Sequence, residues 1–419
     1  MDVVKKVPLD DLPDLADINI RAYPAFFGED FTEERKEKMI EGMGKIQTEV
    51  DSIEYWGLYR DGKLLGGMRI HYFQMNTFGK IIQVGGVGMV AVHFLHKKEK
   101  VAKGLLEFFH QHFQDKGSSM TVLYPFRADF YKQMGYGYGT KMNNYYFKPD
   151  STISGPSKAN IVDLGAEDLA DLLACYNKYA QDHHGLIMRE ERDFKRYTMN
   201  HRINVIGVRH NGQLDGYIIF GFKKAKEDNF LVNDMEVYEI VYHTPQALGE
   251  ILSFINSQAD QIHRVKYPTQ DENFHYVLKD ARNKSDNIFY TSQETNTQGR
   301  GIMYRLLDCK KFFEEVAHHN FGGVTIKVKF IVEDSFLPRN AGSLCLAFEG
   351  GKVTNLEDSG EVDVEVRCDI SDLSSVVLGV IPLNQLYKFG LVEVSDFSKV
   401  ESLTRLFWTG NKPWCMTEF

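Results

Sequence analysis

The stretch VAVHFLHKKEKVAKGLLEFF, residues 90 to 109, decides how this chain is read. Val90 to Val92 end an apolar run that suits a buried strand, and Lys97 to Lys100 make a basic loop. From Val101 onward, Val101, Leu105, Phe108, Phe109 and Phe113 fall on one helical face, with Gly117 as the stop. Strand, basic loop and helix form the layout with which proteins grip a phosphate. The N–H groups of the loop and the positive helix end then face the anion. Such loops usually place glycine at the turn into the helix, and here Lys100 stands there. A side chain at that point obstructs the backbone's approach and disfavours a positive φ, while its ammonium adds charge beside the phosphates. The balance predicts a cradle that is weakened but kept. The plainer alternative is a solvated Lys/Glu-rich turn.

Working outward, a hairpin precedes the loop. YWGLYRDGKLLGGMRI (residues 55 to 70) reads as strand, Asp61-Gly62 turn, and a second strand beginning near Gly66. VIGVRHNGQLDGYIIF (205 to 220) repeats this with Asn211-Gly212 and Gly216. Gly57/Gly207, Gly62/Gly212, Leu64/Leu214 and Gly66/Gly216 share one offset of 150, which suggests an internal duplication. A strand feeding a helix follows each hairpin: GGVGMVAV into VAKGLLEFFHQHF, then MEVYEIVYHTPQALGEILSFI. The second connection is shorter and has no lysine or arginine, so any phosphate cradle belongs to the first copy.

Two polar segments, Lys148 to Asn160 and Arg282 to Gly301, read as linkers and divide the chain into 1–150, 151–290 and 291–419. In the third part VTIKVKFIVED and VDVEVRCDIS alternate as half-buried strands of a largely antiparallel sheet. Helices are expected over Met303–His319 and around Pro382–Phe389, giving an α+β domain. With 419 residues, 43% hydrophobic and 26% charged, the chain has the length for two to four domains with substantial cores. No long uncharged apolar run predicts a membrane span, and the acidic N-terminal stretch lacks a secretory pattern, so a cytoplasmic protein is expected. The net charge of −9 disfavours nucleic acid and mildly favours cationic small molecules. Five scattered cysteines without a CxxC pair argue for buried, reduced thiols and against structural zinc or any other metal. The adjacent His183 and His184 diverge and read as surface or interdomain residues. RAYPAFFGED (21 to 30) either lines a substrate mouth or merely ends a helix.

At the loop and its hairpin the chain resembles the GNAT acetyltransferases, whose acetyl-CoA loop follows a pattern like R-R-x-G-x-G/A. Lys97, Lys98, Lys100 and Ala102 align with it, the glycine excepted. A second element, LYPFRADFYKQMGYGYGTK (123 to 141), carries an F-Y-x-x-x-G-[FY] frame at Phe130, Tyr131, Gly135 and Tyr136. Length, tandem hairpins and the aromatic C-terminus narrow the resemblance to the Eis-like group. That resemblance implies tandem GNAT domains, each a mixed twisted sheet flanked by helices, the second degenerate, then a sterol-carrier-protein-like α+β domain. It implies acetyl-CoA as co-substrate, a cationic amine acceptor (aminoglycoside, polyamine or lysine-like) and a homohexamer. It further implies Tyr131 as proton donor and the terminal carboxylate of Phe419 as proton acceptor. Cofactor contacts would come from Val90, Ala91, Val92, Lys98, Glu99, Lys100, Val101, Ala102, Lys103, Phe126 and Arg127.

The chemistry sets limits on those roles. A phenol near ~10 can hand a proton to a thiolate near ~8.5 without great mismatch, whereas an α-carboxyl near ~3.5 is a poor base for an ammonium. The carboxylate is therefore expected to orient a cationic amine, and Glu418 adds negative charge beside it. A catalytically impaired ligand-binding or assembly protein of the same fold is the alternative, and lipid carriage by the third domain rests on fold analogy alone.

Overall fold

The computed structural model describes residues 1–419 except 29, 30, 154, 156, 286, 356–360 and 409. Two compact bodies emerge, and both are discontinuous in sequence. One comprises 1–139, 302–412 and 418–419; the other comprises 140–301 and 413–417.

In the first body the elements run β1 (Asp2–Lys6), α1 (Leu12–Ala22), α2 (Pro24–Phe27), α3 (Glu33–Glu49), β2 (Ile53–Arg60), β3 (Lys63–Thr77) and β4 (Lys80–Val92). After these come α4 (Val101–Asp115), β5 (Met120–Leu123), α5 (Ala128–Lys132) and β6 (Gly137–Tyr138). The β2–β3 turn closes on two residues, Asp61 and Gly62, both at positive φ (49° and 81°). Pairing begins at once with Arg60 against Lys63, so β3 starts ahead of Gly66. Gly66 has a different duty. A Cβ there would lie 2.6 Å from the Ala91 carbonyl oxygen and 2.9 Å from a Val101 methyl, so only glycine lets the start of α4 approach the sheet. On α4 the predicted face is buried: Leu105, Phe109 and Phe113 are fully enclosed, each contributing about 1.5–3 kcal/mol of burial.

The expected helix over Met303–His319 is replaced by two elements. Met303–Leu306 is a strand between β5 and β6 in the first sheet, with all four residues buried. A helix follows only over Cys309–Glu315, capped by Asp308 accepting from the Lys311 N–H. A short apolar run fits either element by periodicity, and the open edge of β5 decides for strand. Its Arg305 is fully buried, ion-paired to Asp334 at 2.6 Å and donating to the Met134 carbonyl. That guanidinium occupies the space a side chain at Gly135 would need. The rest of 302–412 is a five-stranded sheet in which Ile326–Glu333 pairs antiparallel with Gly342–Glu349 and parallel with Val364–Asp369. Short helices at Ile370–Val377, Leu383–Lys388 and Val400–Phe407 accompany it.

The second body repeats the plan with β7 (Lys141–Phe147), β8 (Ile161–Asp163), α6 (Leu169–Asp182), α7 (Glu191–Thr198), β9 (Ile203–His210), β10 (Gln213–Lys226), β11 (Asn229–Tyr242), α8 (Pro245–Asn256) and β12 (Ile262–Thr269). Asn211 and Gly212 make its turn at φ 51° and 82°. Gly216 again clears a helix start, its missing Cβ facing the Val241 oxygen at 2.7 Å and Ala247 at 3.4 Å. The offset of 150 therefore relates positions with the same packing duty. The segment read as a polar linker, 282–301, contributes the edge strand Asn296–Arg300 against β7.

Candidate active site

Parallel pairing between β4 and β5 covers only Val84–Val87 against Met120–Leu123, and β4 runs on to Val92. The two strands therefore part. A bulge sits at the parting: Met89 and Val90 stand against Met68 alone, and Met89 has φ 51°. It re-aims the backbone of β4 where the strand loses its neighbour. From α1's end Tyr23 reaches over and donates its hydroxyl hydrogen to the Val90 carbonyl at 2.6 Å.

Lys100 sets the mouth of α4. It is the N-cap residue and adopts the left-handed conformation, φ 64° and ψ 13°, that glycine would take most easily. Lys98 is left-handed as well, at φ 69°. A side chain in that region costs about 1–2 kcal/mol, held here by the loop's other contacts. Glu99 supplies two of them, pairing with Arg60 at 2.6 Å and with His96 at 3.2 Å. Lys100 makes no side-chain cap, and the first helical bond runs from the Gly104 N–H to the Lys100 carbonyl. By helix geometry the N–H groups of Val101, Ala102 and Lys103 have no carbonyl within the helix to meet.

These features border a cavity of about 630 Å³. Val90, Ala91, Val92, Lys98, Lys100, Val101, Ala102, Lys103, Phe126 and Arg127 line it, together with Tyr23, His96, Lys97, Phe130, Gln133 and Met134. Glu99 does not line it; its carboxylate is engaged by Arg60 and His96. Tyr131 lies beneath the lining, 3% exposed, its ring edge-on to Phe126 and Phe130. Burial, with Tyr23 and Tyr136 as neighbours, holds its phenol above the ordinary range. Arg127 is paired to Asp129 on the surface.

Phe419 reaches the same body on the other side of the bulge. Its ring packs against Phe73 (4.9 Å between centroids), Tyr124 (5.1 Å) and His71 (5.5 Å). A Cβ at Gly88 would lie 2.9 Å from the Phe419 carboxyl carbon, so glycine at 88 admits the chain end. Arg69 donates to His71 at 3.0 Å beside it. Tyr23 is the residue that motif reading passed over. Its signal lay in RAYPAFFGED, whose Glu29 and Asp30 fall outside the described residues.

Among the described residues the second body has no counterpart to this mouth. Only His243 and Thr244 separate β11 from α8. Thr244 caps the helix by accepting from the Ala247 N–H at 3.1 Å, and Pro245 has no N–H to offer. Among the described residues no group of three or more His, Cys, Asp or Glu could hold a metal ion, and no helix is long and apolar enough to cross a membrane. His183 stacks on Tyr179 with ring centroids 3.8 Å apart. All five cysteines are buried and none forms a disulfide.

A split sheet with a bulge, and a bare helix start beside it, define an acyltransferase of the GNAT type. GNAT acetyltransferase family models match residues 4–139 and 185–306, and a sterol carrier protein domain model matches 309–416. No curated protein sequence matches. Among solved structures, a GCN5-related N-acetyltransferase from Anabaena variabilis is 18% identical over all of both chains, with a TM-score of 0.83. A conserved protein from Enterococcus faecalis, described as a probable N-acyltransferase, is 19% identical over all of both chains at 0.79. Eis1 from Mycobacterium abscessus is 18% identical over all of both chains at 0.76. At such identities the likeness speaks for a shared architecture. The chain carries two GNAT acetyltransferase domains followed by a sterol-carrier-type domain, and it shares its whole-chain fold with Eis1.

Proposed function

We propose that the protein transfers an acetyl group from acetyl-CoA directly to an amine of a cationic small molecule, an aminoglycoside, a polyamine or a lysine-like compound. The observation that carries this reading is the left-handed backbone at Lys100, which leaves the first turn of α4 facing a lysine-lined cavity. The N–H groups of Val101, Ala102 and Lys103 would hold the diphosphate, with Lys98, Lys100 and Lys103 adding charge. Backbone N–H groups of β4 beyond Val87 would meet the acyl oxygen as charge develops on it. As the amine nitrogen bonds to the acyl carbon and the carbon–sulfur bond breaks, Tyr131 gives its proton to the departing sulfur. Its raised pKa keeps that proton in place throughout the neutral range. The Phe419 carboxylate would hold and orient the ammonium and accept the proton it sheds, directly or through water. Chain charge supports a cationic acceptor.

On the Eis resemblance we place the protein in the cytoplasm as a homohexamer, with functional divisions near residues 150 and 290. The impaired-module alternative rests on the Lys100 side chain obstructing the loop or disfavouring a positive φ; the left-handed Lys100 speaks against the second ground only. An assay of coenzyme A thiol release against a panel of amines tests the proposal. Turnover with polyamines, aminoglycosides or lysine analogues is expected, and silence across the panel at millimolar acetyl-CoA would overturn it.

A further inference from the structure

The second GNAT body contains a binding site that is already filled, and its occupant is the chain's own segment Pro413–Thr417. Each residue of the segment is tied by its main chain or side chain. The Thr140 hydroxyl donates to the Pro413 carbonyl at 2.7 Å, and the Trp414 N–H donates to the His184 carbonyl at 2.9 Å. The Cys415 N–H donates to the Gln270 side-chain oxygen. Arg189 donates to the Met416 carbonyl at 2.7 Å and to the Thr417 hydroxyl at 3.4 Å. Trp414 and Met416 rest on the apolar cluster of α6 and α7.

Arg189 is the centre of this arrangement. Both its side chain and that of Glu239 are 2% exposed, and the two are joined by a two-pronged ion pair at 2.8 and 2.6 Å. Its guanidinium also lies 3.8 Å over the Tyr176 ring, and Tyr217 donates to Glu239. A buried charge fixed on all sides can aim its remaining donors at one place, here the main chain and side chain of Met416 and Thr417. Glu239 sits on β11 beyond Glu236, where parallel pairing with β12 stops, next to a bulge between Ile219 and Phe220. The tail is thus held where this body's sheet opens.

We infer that the second GNAT domain serves as a clamp for the C-terminal segment, and that Arg189 is a positioning residue for the terminal carboxylate. The contacts named above reach Thr417, two residues before the carboxylate. Two residues span at most about 7 Å, so the terminus has little freedom left once Thr417 is fixed. This inference rests on the proposed role of the carboxylate for its catalytic meaning, but not for the clamp itself. It also gives His183 and His184 a place: one stacks on Trp414 at 5.9 Å, the other offers its carbonyl.

Two full-length variants test the clamp. Arg189→Lys keeps the charge and loses the fork, and Thr140→Val with Gln270→Leu removes two tail contacts without touching the Arg189–Glu239 pair. Release of Phe419 by carboxypeptidase A, followed by intact-mass spectrometry, is expected to speed up at least about tenfold in both. Turnover per folded acetyl-CoA site, counted by calorimetric titration, should fall in both while the KM for acetyl-CoA stays within twofold; a general loss of stability would lower the number of sites and leave the turnover of each unchanged. Release at the wild-type rate in the double variant, with its fold intact by circular dichroism, overturns the clamp. A wild-type chain extended by three residues beyond Phe419 separates the two ideas. If the extended chain turns over normally, the carboxylate has no role, and the clamp then stands or falls on the release rates alone.

Discussion

The two GNAT domains differ most at one joint, where the central strand enters the helix. In the first, β4 is followed by eight residues, four of them lysine or histidine side chains on the cavity, and α4 begins with its N–H groups bare. In the second, two residues suffice, a threonine caps the helix and a proline removes a donor. The hairpins, the glycines that clear the helix starts and the parting of the parallel strands are shared. One scaffold can therefore keep its sheet and lose its anion site by shortening a single loop. The second domain then uses its opening for the chain's own tail.

Attacks on that joint sharpen the contrast. The largest effect is expected from Ala102→Glu, which puts a carboxylate on the cavity within the first turn of α4. An acid there suits the helix dipole, so the fold should persist. Affinity for acetyl-CoA should nevertheless drop by more than about a thousandfold, roughly 4 kcal/mol, in a calorimetric titration. Tyr131→Phe should lower kcat by about a hundredfold or more and leave acetyl-CoA binding within twofold, as stopped-time product assays and calorimetry can show. In the second domain, Thr244→Ala should cost about 1 kcal/mol in denaturant unfolding and leave turnover unchanged, since that helix start holds no ligand.

Smaller shifts come from the conformation of Lys100 and from histidine titration. Lys100→Gly relieves the left-handed side chain but widens the unfolded ensemble, for a net gain of about 0.5–1 kcal/mol, read as a small rise in thermal midpoint. Burial beside His318 and Lys352 pushes His319 down to about 4, with its ring stacked on Phe78. Its neutral form is the one the fold prefers. The associated stability is complete above about 6.5 and is lost as pH falls towards 4, so urea midpoints should decline across that window and decline less in His319→Gln.

How much of this was readable from the residues follows distance along the chain. The cavity lining from Val90 to Lys103 is one contiguous motif, and Phe126 and Arg127 lie next to a second. Both turns were readable because Asp-Gly and Asn-Gly admit few conformations. Tyr23 was not, since its contact to Val90 spans 67 residues and it sits between two helices, outside any periodic pattern. Met303–Leu306 read as helix because so short a run, three apolar residues around Arg305, carries no decisive period; its place in the first sheet is a long-range fact. Arg189 and Glu239, fifty residues apart, belong to no local motif, and only the fold buries and pairs them.

Calorimetric stoichiometry tests the contrast between the domains most directly. Acetyl-CoA titrated into the intact protein should bind once per chain, and Ala102→Glu should remove that single event. Two binding events per chain, or one that survives the substitution, would contradict it.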